Sequence, residues 1–210
     1  MVDFYKELLG KKENQRTKTF NDFLRNGNVL TISQQLDMLK PYTEKDVKKI
    51  MFSIDKNKNS GPDGYGGDFF KAAWTIIWGD VTTAILEFFS NGKLLKQLNA
   101  TMISLIPKVT AAQKAEQFRP ISCCDVIYKC ISKMICTRLR KAVLHIVEEN
   151  QAAFVEGRSL VHNVLIFHDL LKHYNRKTSP RCLMKIDLRK AYDMVSWDFI
   201  DEAMRGFGFP

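Results

Sequence analysis

Nowhere in the 210 residues do apolar side chains run unbroken for the roughly eighteen positions that a bilayer-crossing helix needs. The opening Met1-Val2-Asp3-Phe4-Tyr5-Lys6-Glu7 mixes charges into its apolar positions and has no run of the signal-peptide type. Cysteine is scarce as well: the five residues make an odd number, and no two stand as Cys-x-x-Cys. That usage suits a reducing compartment and small buried thiols better than a disulfide framework. Acidic groups are the rarer charge, 23 Asp+Glu against 32 Lys+Arg, which leaves a formal net charge of +9. A polyanionic partner is expected, nucleic acid before a membrane surface, in an intracellular protein. Apolar side chains are not lacking: 45% of the chain is hydrophobic, enough to bury a core as one domain or two small ones.

Residues 1 to about 40 are polar and basic without a clean period, and the expectation is a short helix near Asp3–Leu9 followed by loop. Thr43-Glu44-Lys45-Asp46 has the form of a helix start, and Val47, Ile50, Met51 and Ile54 follow at helical spacing. Lys56-Asn57-Lys58-Asn59-Ser60-Gly61-Pro62-Asp63-Gly64 breaks that helix with residues that turns use. No Gly-Lys-Ser/Thr follows, so it is not a phosphate-cradling loop. Phe70, Ala73, Trp74, Ile77 and Trp78 form a second helical stripe. Val81, Ala84, Ile85, Phe88 and Phe89 form a third, ending at Gly92, and both read as packing surfaces.

The pattern then changes period. Asn99 to Ile106 alternates in twos and stops at Pro107, and a second extended run begins at Phe118. If these are arms of a hairpin, Lys108 leaves one and Arg119 enters the other, so two cations flank one loop. Taken alone, such cations are as readily a solvated surface. A long helix is expected from Asp125, with Ile127, Ile131, Met134 and Ile135 inward. Its cations Lys129, Lys133, Arg138, Arg140 and Lys141 leave open whether it lies on a sheet or lines a backbone groove. Leu160, Val164, Phe167, Leu171 and Tyr174 predict a further helix packed behind a sheet.

Cys182 to Leu188 is mostly apolar and reaches an acidic residue, as a strand does when it delivers a carboxylate to its end. Its period of two puts Leu183, Lys185 and Asp187 on one face and Met184, Ile186 and Leu188 on the other. A strand-ending aspartate that caps the next turn fits the same residues. Ser196 is placed to cap a closing helix that carries Ile200, Ala203 and Met204.

Several of these stretches together resemble one family. Asp187, then Tyr192 inside Lys190-Ala191-Tyr192-Asp193, then Val195-Ser196-Trp197, resembles the first catalytic-aspartate motif of reverse transcriptases of LINE-type, non-LTR retrotransposons, of a plant-like kind. Gly61-Pro62-Asp63-Gly64 is similar to the segment that opens the reverse transcriptase region near the template-binding fingers. Leu105-Ile106-Pro107-Lys108 and Phe118-Arg119-Pro120-Ile121-Ser122 resemble the paired fingers motifs, and Gln151 to Arg158 the segment between fingers and palm. The motifs keep the family's order over about residues 40 to 210.

The resemblance implies an α+β fold: helix-rich fingers with a β-hairpin and the beginning of a polymerase palm, an incomplete right-hand polymerase. On it, residues 1–40 are an N-terminal polar segment and 41–210 a partial reverse transcriptase domain. Its fingers would span about 41–180, with the first palm strand and helix at about 181–210. It also implies roles. Lys108 and Arg119 hold the triphosphate of the incoming deoxynucleotide, and Tyr192 lies under its sugar. Lys58 and Arg158 contact nucleic acid. Asp187 is catalytic, as a ligand of Mg²⁺, two ions in the complete enzyme.

The implied partners are an RNA template, a DNA primer and deoxynucleoside triphosphates, with no membrane; the implied residence is nuclear, with cytoplasmic assembly. The family's second carboxylate comes from an aromatic-x-Asp-Asp hairpin, and no Asp-Asp pair occurs in these residues. The expectation is therefore a polymerase fragment, inactive by itself. The alternative is a nucleic-acid-binding remnant without chemistry.

Overall fold

The computed structural model describes residues 1–10, 17, 24, 26–148, 151–152, 155–172 and 195–210. In chain order the elements are α1 (Val2–Gly10), α2 (Ile32–Leu39), α3 (Glu44–Phe52), α4 (Gly67–Ala72), α5 (Trp74–Asn91), β1 (Thr101–Pro107), β2 (Phe118–Cys124), α6 (Val126–Ile146), α7 (Leu160–Lys172) and α8 (Trp197–Gly206). Helices with one two-stranded antiparallel sheet make the described residues an α+β assembly, as the motifs imply. The strand expected over Cys182–Leu188, with Asp187, and the following Tyr192 lie outside the described residues. Two compact units are present, one over Met38–Arg140 and one made of Met1–Asp37 with Lys141–Pro210.

The unit Met38–Arg140 is built on four helices. α3 starts where Thr43 predicts: Thr43 Oγ1 accepts from the Asp46 amide, and the Asp46 carboxylate accepts in turn from the Thr43 amide at 2.9 Å. Two orphan donors of the first turn are satisfied by this reciprocal box. The Thr43 hydrogen bonds hold the Asp46 carboxyl below its ordinary value of 3.8. Val47 and Met51, four apart, are fully buried against α4, α5 and α6, together with Phe70, Trp74, Ile85 and Met134. α6 turns Ile131 and Met134 inward, as its period requires.

Tyr42 ties the start of this unit to α6. Its hydroxyl donates to the Met134 carbonyl at 3.1 Å, and its ring lies 4.1 Å from that of Phe89. The Arg138 guanidinium covers the same ring at 3.4 Å while donating to the Met38 carbonyl at 2.8 Å. Burial pushes the Tyr42 phenol above its usual range in spite of that cation.

The second and third apolar stripes prove to be one helix with a short one before it. α4 ends at Ala73, whose amide still bonds to the Phe69 carbonyl at 2.9 Å, and α5 then runs unbroken for 18 residues to Asn91. Gly92 ends it with a φ of 69°, the left-handed conformation that a Cβ disfavours. Trp78 is not core. It stays 47% exposed, whereas Trp74 one turn earlier is buried, so the apolar stripe is covered only at its start. With Trp74, Lys45 and Lys48 it lines an open groove of about 380 Å³ beside the start of α3.

In the other unit, α1 covers the stretch expected to be helical, but α2 stands where loop is expected. Its start is another reciprocal cap: the Thr31 amide donates to Gln34 Oε1 at 2.9 Å, and the Gln34 amide to Thr31 Oγ1 at 3.4 Å. No side chain of α2 is buried, which explains why no apolar period announces it. The Leu30 amide donates to the Phe207 carbonyl at 2.9 Å, and Gly206 lies so close to Leu24 that a Cβ would come within 2.6 Å of that side chain. Ser196 stands at the N-cap of α8 without a side-chain cap bond, contrary to its expected role. α7 forms, and its Val164, Phe167 and Leu171 are exposed; the sheet behind which they are expected to pack lies outside the described residues. Val161, Leu165 and Ile166 are exposed too, so α7 presents apolar side chains on more than one face. Among the described residues no helix is long and apolar enough to cross a membrane.

Candidate functional site

β1 and β2 pair antiparallel from Thr101↔Cys124 to Pro107↔Phe118, so the hairpin expected from the change of period is present. Its loop is held by its own polar groups. The Lys108 amide donates to the Gln117 carbonyl at 2.7 Å, and Gln117 Oε1 accepts from the amides of Gln113 and Lys114 at 2.8 and 2.9 Å. A 3-10 turn over Ala115–Gln117 results, and the Lys108 ammonium donates to the Glu116 carbonyl at 2.7 Å.

The register puts Ile106 opposite Arg119. Residues directly opposite share a face, so Arg119 stands on the side that carries Met102, Ser104, Ile106 and Ile121. Met102, Ile106 and Ile121 are exposed. Arg119 is exposed as well, and its guanidinium takes no hydrogen bond or ion pair among the described residues. An open apolar ribbon with one unengaged planar cation near its loop end suits a ligand with a flat apolar part and an anionic part. Lys108 and Arg119 thus come to the same end of the hairpin; the first is engaged by the loop and the second is free.

Lys58 lies in the exposed turn after α3, its amide bonded to the Asp55 carbonyl at 3.2 Å. A few residues on, the Gly64 amide bonds to the Gly61 carbonyl at 3.1 Å and closes a turn with Pro62 and Asp63 at its centre. Partial burial, with the neighbouring Asp125 carboxylate adding to it, raises the Asp63 carboxyl above its ordinary value. Arg158 belongs to the other unit and is engaged there. Its guanidinium donates to the carbonyls of Val147 and Gln151 at 2.8 Å each, and to that of Glu148, in the segment that follows α6. Carbonyls after a helix end carry partial negative charge and favour a cation.

Three cations of α6 behave alike. Lys133 donates to the Ser53 carbonyl at 2.7 Å, Lys129 to the Asn59 carbonyl and Arg138 to the Met38 carbonyl. That settles part of the choice left open for this helix: at these three positions the charges bind protein. Asp187 and Tyr192 fall outside the described residues, and among those residues no three His, Cys, Asp or Glu side chains form a metal-binding group. Reading by pattern missed Gln117, the organiser of the hairpin loop, and gave Asp125, which is 3% exposed at the end of β2, only as the start of a helix. A polar residue immediately before the apolar period of α6 was the available signal for Asp125.

A family model described as reverse transcriptase (RNA-dependent DNA polymerase) matches residues 106–210, half of the chain. The chain belongs to the reverse transcriptase family. The match takes in Lys108, Arg119, Arg158, Asp187 and Tyr192. The transposon TX1 uncharacterized 149 kDa protein of Xenopus laevis is 27% identical over 170 residues, which is 80% of this reverse transcriptase chain and 13% of that protein. The Pol polyprotein from the type-2 retrotransposable element R2DM of Drosophila melanogaster is 24% identical over 185 residues, 88% of this chain and 17% of its own length. A corresponding polyprotein from the type-1 retrotransposable element R2 of Nasonia vitripennis is 21% identical over 173 residues, 80% of this chain and 16% of its own. The chain thus spans less than one fifth of the length of these curated relatives, and its resemblance to LINE-type reverse transcriptases holds. Reverse transcriptases generally use divalent metal ions.

Proposed function

We propose that this chain supplies the fingers and the beginning of the palm of an RNA-directed DNA polymerase of a non-LTR retrotransposon, copying an RNA template onto a DNA primer. The observation that carries the reading is the hairpin register, which brings Lys108 and Arg119 to one end of an exposed ribbon inside the segment that matches the family. Arg119 has its donors open for phosphate, while Lys108 adds charge from a position fixed by the loop. A preorganised cation costs no reorganisation when negative charge develops on a transferring phosphoryl group.

In this reading Asp187 is the catalytic carboxylate and a ligand of Mg²⁺, and Tyr192 excludes a ribose 2′-hydroxyl. The metal, when bound, supplies Lewis acidity to the phosphoryl oxygen and the attacking hydroxyl. Lys58 meets the template backbone. Arg158 contacts nucleic acid from the segment after α6, where three carbonyls hold its guanidinium. The domain division into fingers at about 41–180 and palm from 181, and residence in the nucleus, follow from the same reading.

Binding of RNA and of a deoxynucleoside triphosphate to the 210-residue chain, followed across a salt series, tests the proposal. RNA affinity should fall linearly with salt on logarithmic axes, and Arg119→Ala should weaken triphosphate binding by about one to three powers of ten. Salt-independent RNA binding together with unchanged triphosphate affinity in Arg119→Ala would refute it.

A further inference from the structure

The turn after α3 is not free on the surface; it sits on a seat. Gly61 is buried, and a Cβ built on it would lie 2.1 Å from Asp125 Oδ1, 2.3 Å from the Asp125 amide nitrogen and 2.6 Å from the carbonyl carbon of Cys124. Two of those three atoms are backbone, so no side-chain rotation makes room. The Asp63 amide donates to Asp125 Oδ1 at 3.3 Å, and the Asp63 carboxylate folds back to accept from the Tyr65 amide at 3.0 Å. One turn into α6, Lys129 donates from its ammonium to the Asn59 carbonyl, and its amide bonds to the Asp125 carbonyl at 3.0 Å. Asp125 and Lys129 therefore grip the Asn59–Gly64 segment at both ends.

A buried aspartate is costly unless hydrogen bonds satisfy it, and Asp125 takes part of that satisfaction from a turn that a glycine alone can bring close enough. Sequence position makes the grip directional. Asp125 follows Cys124, the last residue of β2, whereas Arg119 stands near the first, about 17 Å away along the strand at the usual rise per residue. The grip thus fixes Lys58, just before the seated segment, relative to the base of the same strand that carries Arg119.

We propose that Asp125 is a positioning residue for the RNA template: with Lys129 it seats the Asn59–Gly64 segment at the foot of the hairpin and so sets where Lys58 meets the RNA backbone. The proposal rests on the polymerase reading above for its ligand, and on the geometry alone for the seat. Asp125 itself is buried and touches no template; it acts through Lys58.

Two measurements on the 210-residue chain separate the seat from the function. The first is amide hydrogen exchange in peptides covering residues 59–65, compared with peptides from β1, β2 and α6. Gly61→Ala and Asp125→Ala should speed exchange in the turn by about ten- to a hundredfold, the cost of leaving a buried hydrogen-bonding group unsatisfied, and leave the other peptides unchanged. Asp125→Asn, which keeps an oxygen acceptor for the Asp63 amide, should restore most of the protection.

The second is RNA affinity across salt. In the wild-type background Lys58→Ala should lower the slope by about 0.7, the loss of one single-strand phosphate contact; in the Gly61→Ala background it should change nothing further. Unchanged turn exchange in both Gly61→Ala and Asp125→Ala, or loosening that spreads equally through α6 and the hairpin, overturns the seat. Equal effects of Lys58→Ala in the two backgrounds overturn the positioning role. If the wild-type chain binds no RNA, the polymerase reading and the positioning role fall together, and the exchange result still decides the seat.

Discussion

Two kinds of cation share the unit Met38–Arg140. On α6, Lys129, Lys133 and Arg138 each donate to a carbonyl of a neighbouring segment, whereas Arg119 on β2 has no such partner among the described residues. The two groups carry the same charge, and composition counts them alike toward the net +9. Their tasks differ because of what lies beneath them. α6 lies beside loops and helix ends whose carbonyls can accept from its cations, while Arg119 stands on the exposed face of a two-stranded ribbon. A basic chain is therefore not a chain with that much charge to offer a polyanion.

The contrast can be broken first at the core that holds α6. Met51 and Ile85 are fully buried. Met51→Ala should cost about 2–5 kcal/mol in urea unfolding of the chain, whereas Ile106→Ala on the exposed ribbon should stay within about 1 kcal/mol. Equal costs would mean that the hairpin is packed and not open.

The engaged cations come next. Arg138→Ala removes a hydrogen bond to the Met38 carbonyl and the cover over Tyr42, and should cost about 1.5–3 kcal/mol; Arg119→Ala should be within about 0.5 kcal/mol of wild type. Chemical denaturation of both variants checks the pair. A destabilised Arg119→Ala would show that this cation also binds protein.

Capping gives a smaller effect with a sign in pH. Thr43→Ala should cost about 1 kcal/mol near neutrality. Asp46 has a folded-state pKa held below its unfolded value by Thr43, so its contribution is present above the ordinary carboxylate value of 3.8 and is lost as pH falls through the folded value. The difference between wild type and Asp46→Asn in thermal unfolding should accordingly shrink on the acid side. A difference that grows there would reverse the assignment.

Thiol reactivity is the mildest probe. Burial pushes the Cys130 thiol up to about 12, while Cys136 on the same helix is exposed. Alkylation at pH 8 followed by mass spectrometry should label Cys136 well before Cys130, since the thiolate is the reacting form.

Much of this arrangement was legible because local chemistry and tertiary structure agree. Thr43 has a partner three residues on, Gly92 meets a conformation that a Cβ disfavours, and the change of period from helix to strand at Asn99 is abrupt. α2 was missed because it buries no side chain, although Thr31-Ile32-Ser33-Gln34 spells its cap. Asp125 is legible as the start of α6, but not its contact with the turn: Gly61 lies 64 positions earlier, and no local window contains both. The exposure of Trp78 belongs to the same class, since a stripe shows which way a side chain faces and not whether the neighbour is large enough to cover it. Asp187 and Tyr192 remain readings from the motif.

The engagement of Arg158 with three carbonyls bears on how this position tolerates change. An ammonium has a single nitrogen, whereas the guanidinium presents two donor groups in a fixed fork and reaches Val147, Glu148 and Gln151 at once. Arg158→Lys would keep the charge and lose the geometry, so intolerance to lysine in a mutational scan has a sufficient cause inside the protein. Selection for a guanidinium here would persist even in a copy of the sequence that never meets RNA, for as long as that copy is required to fold.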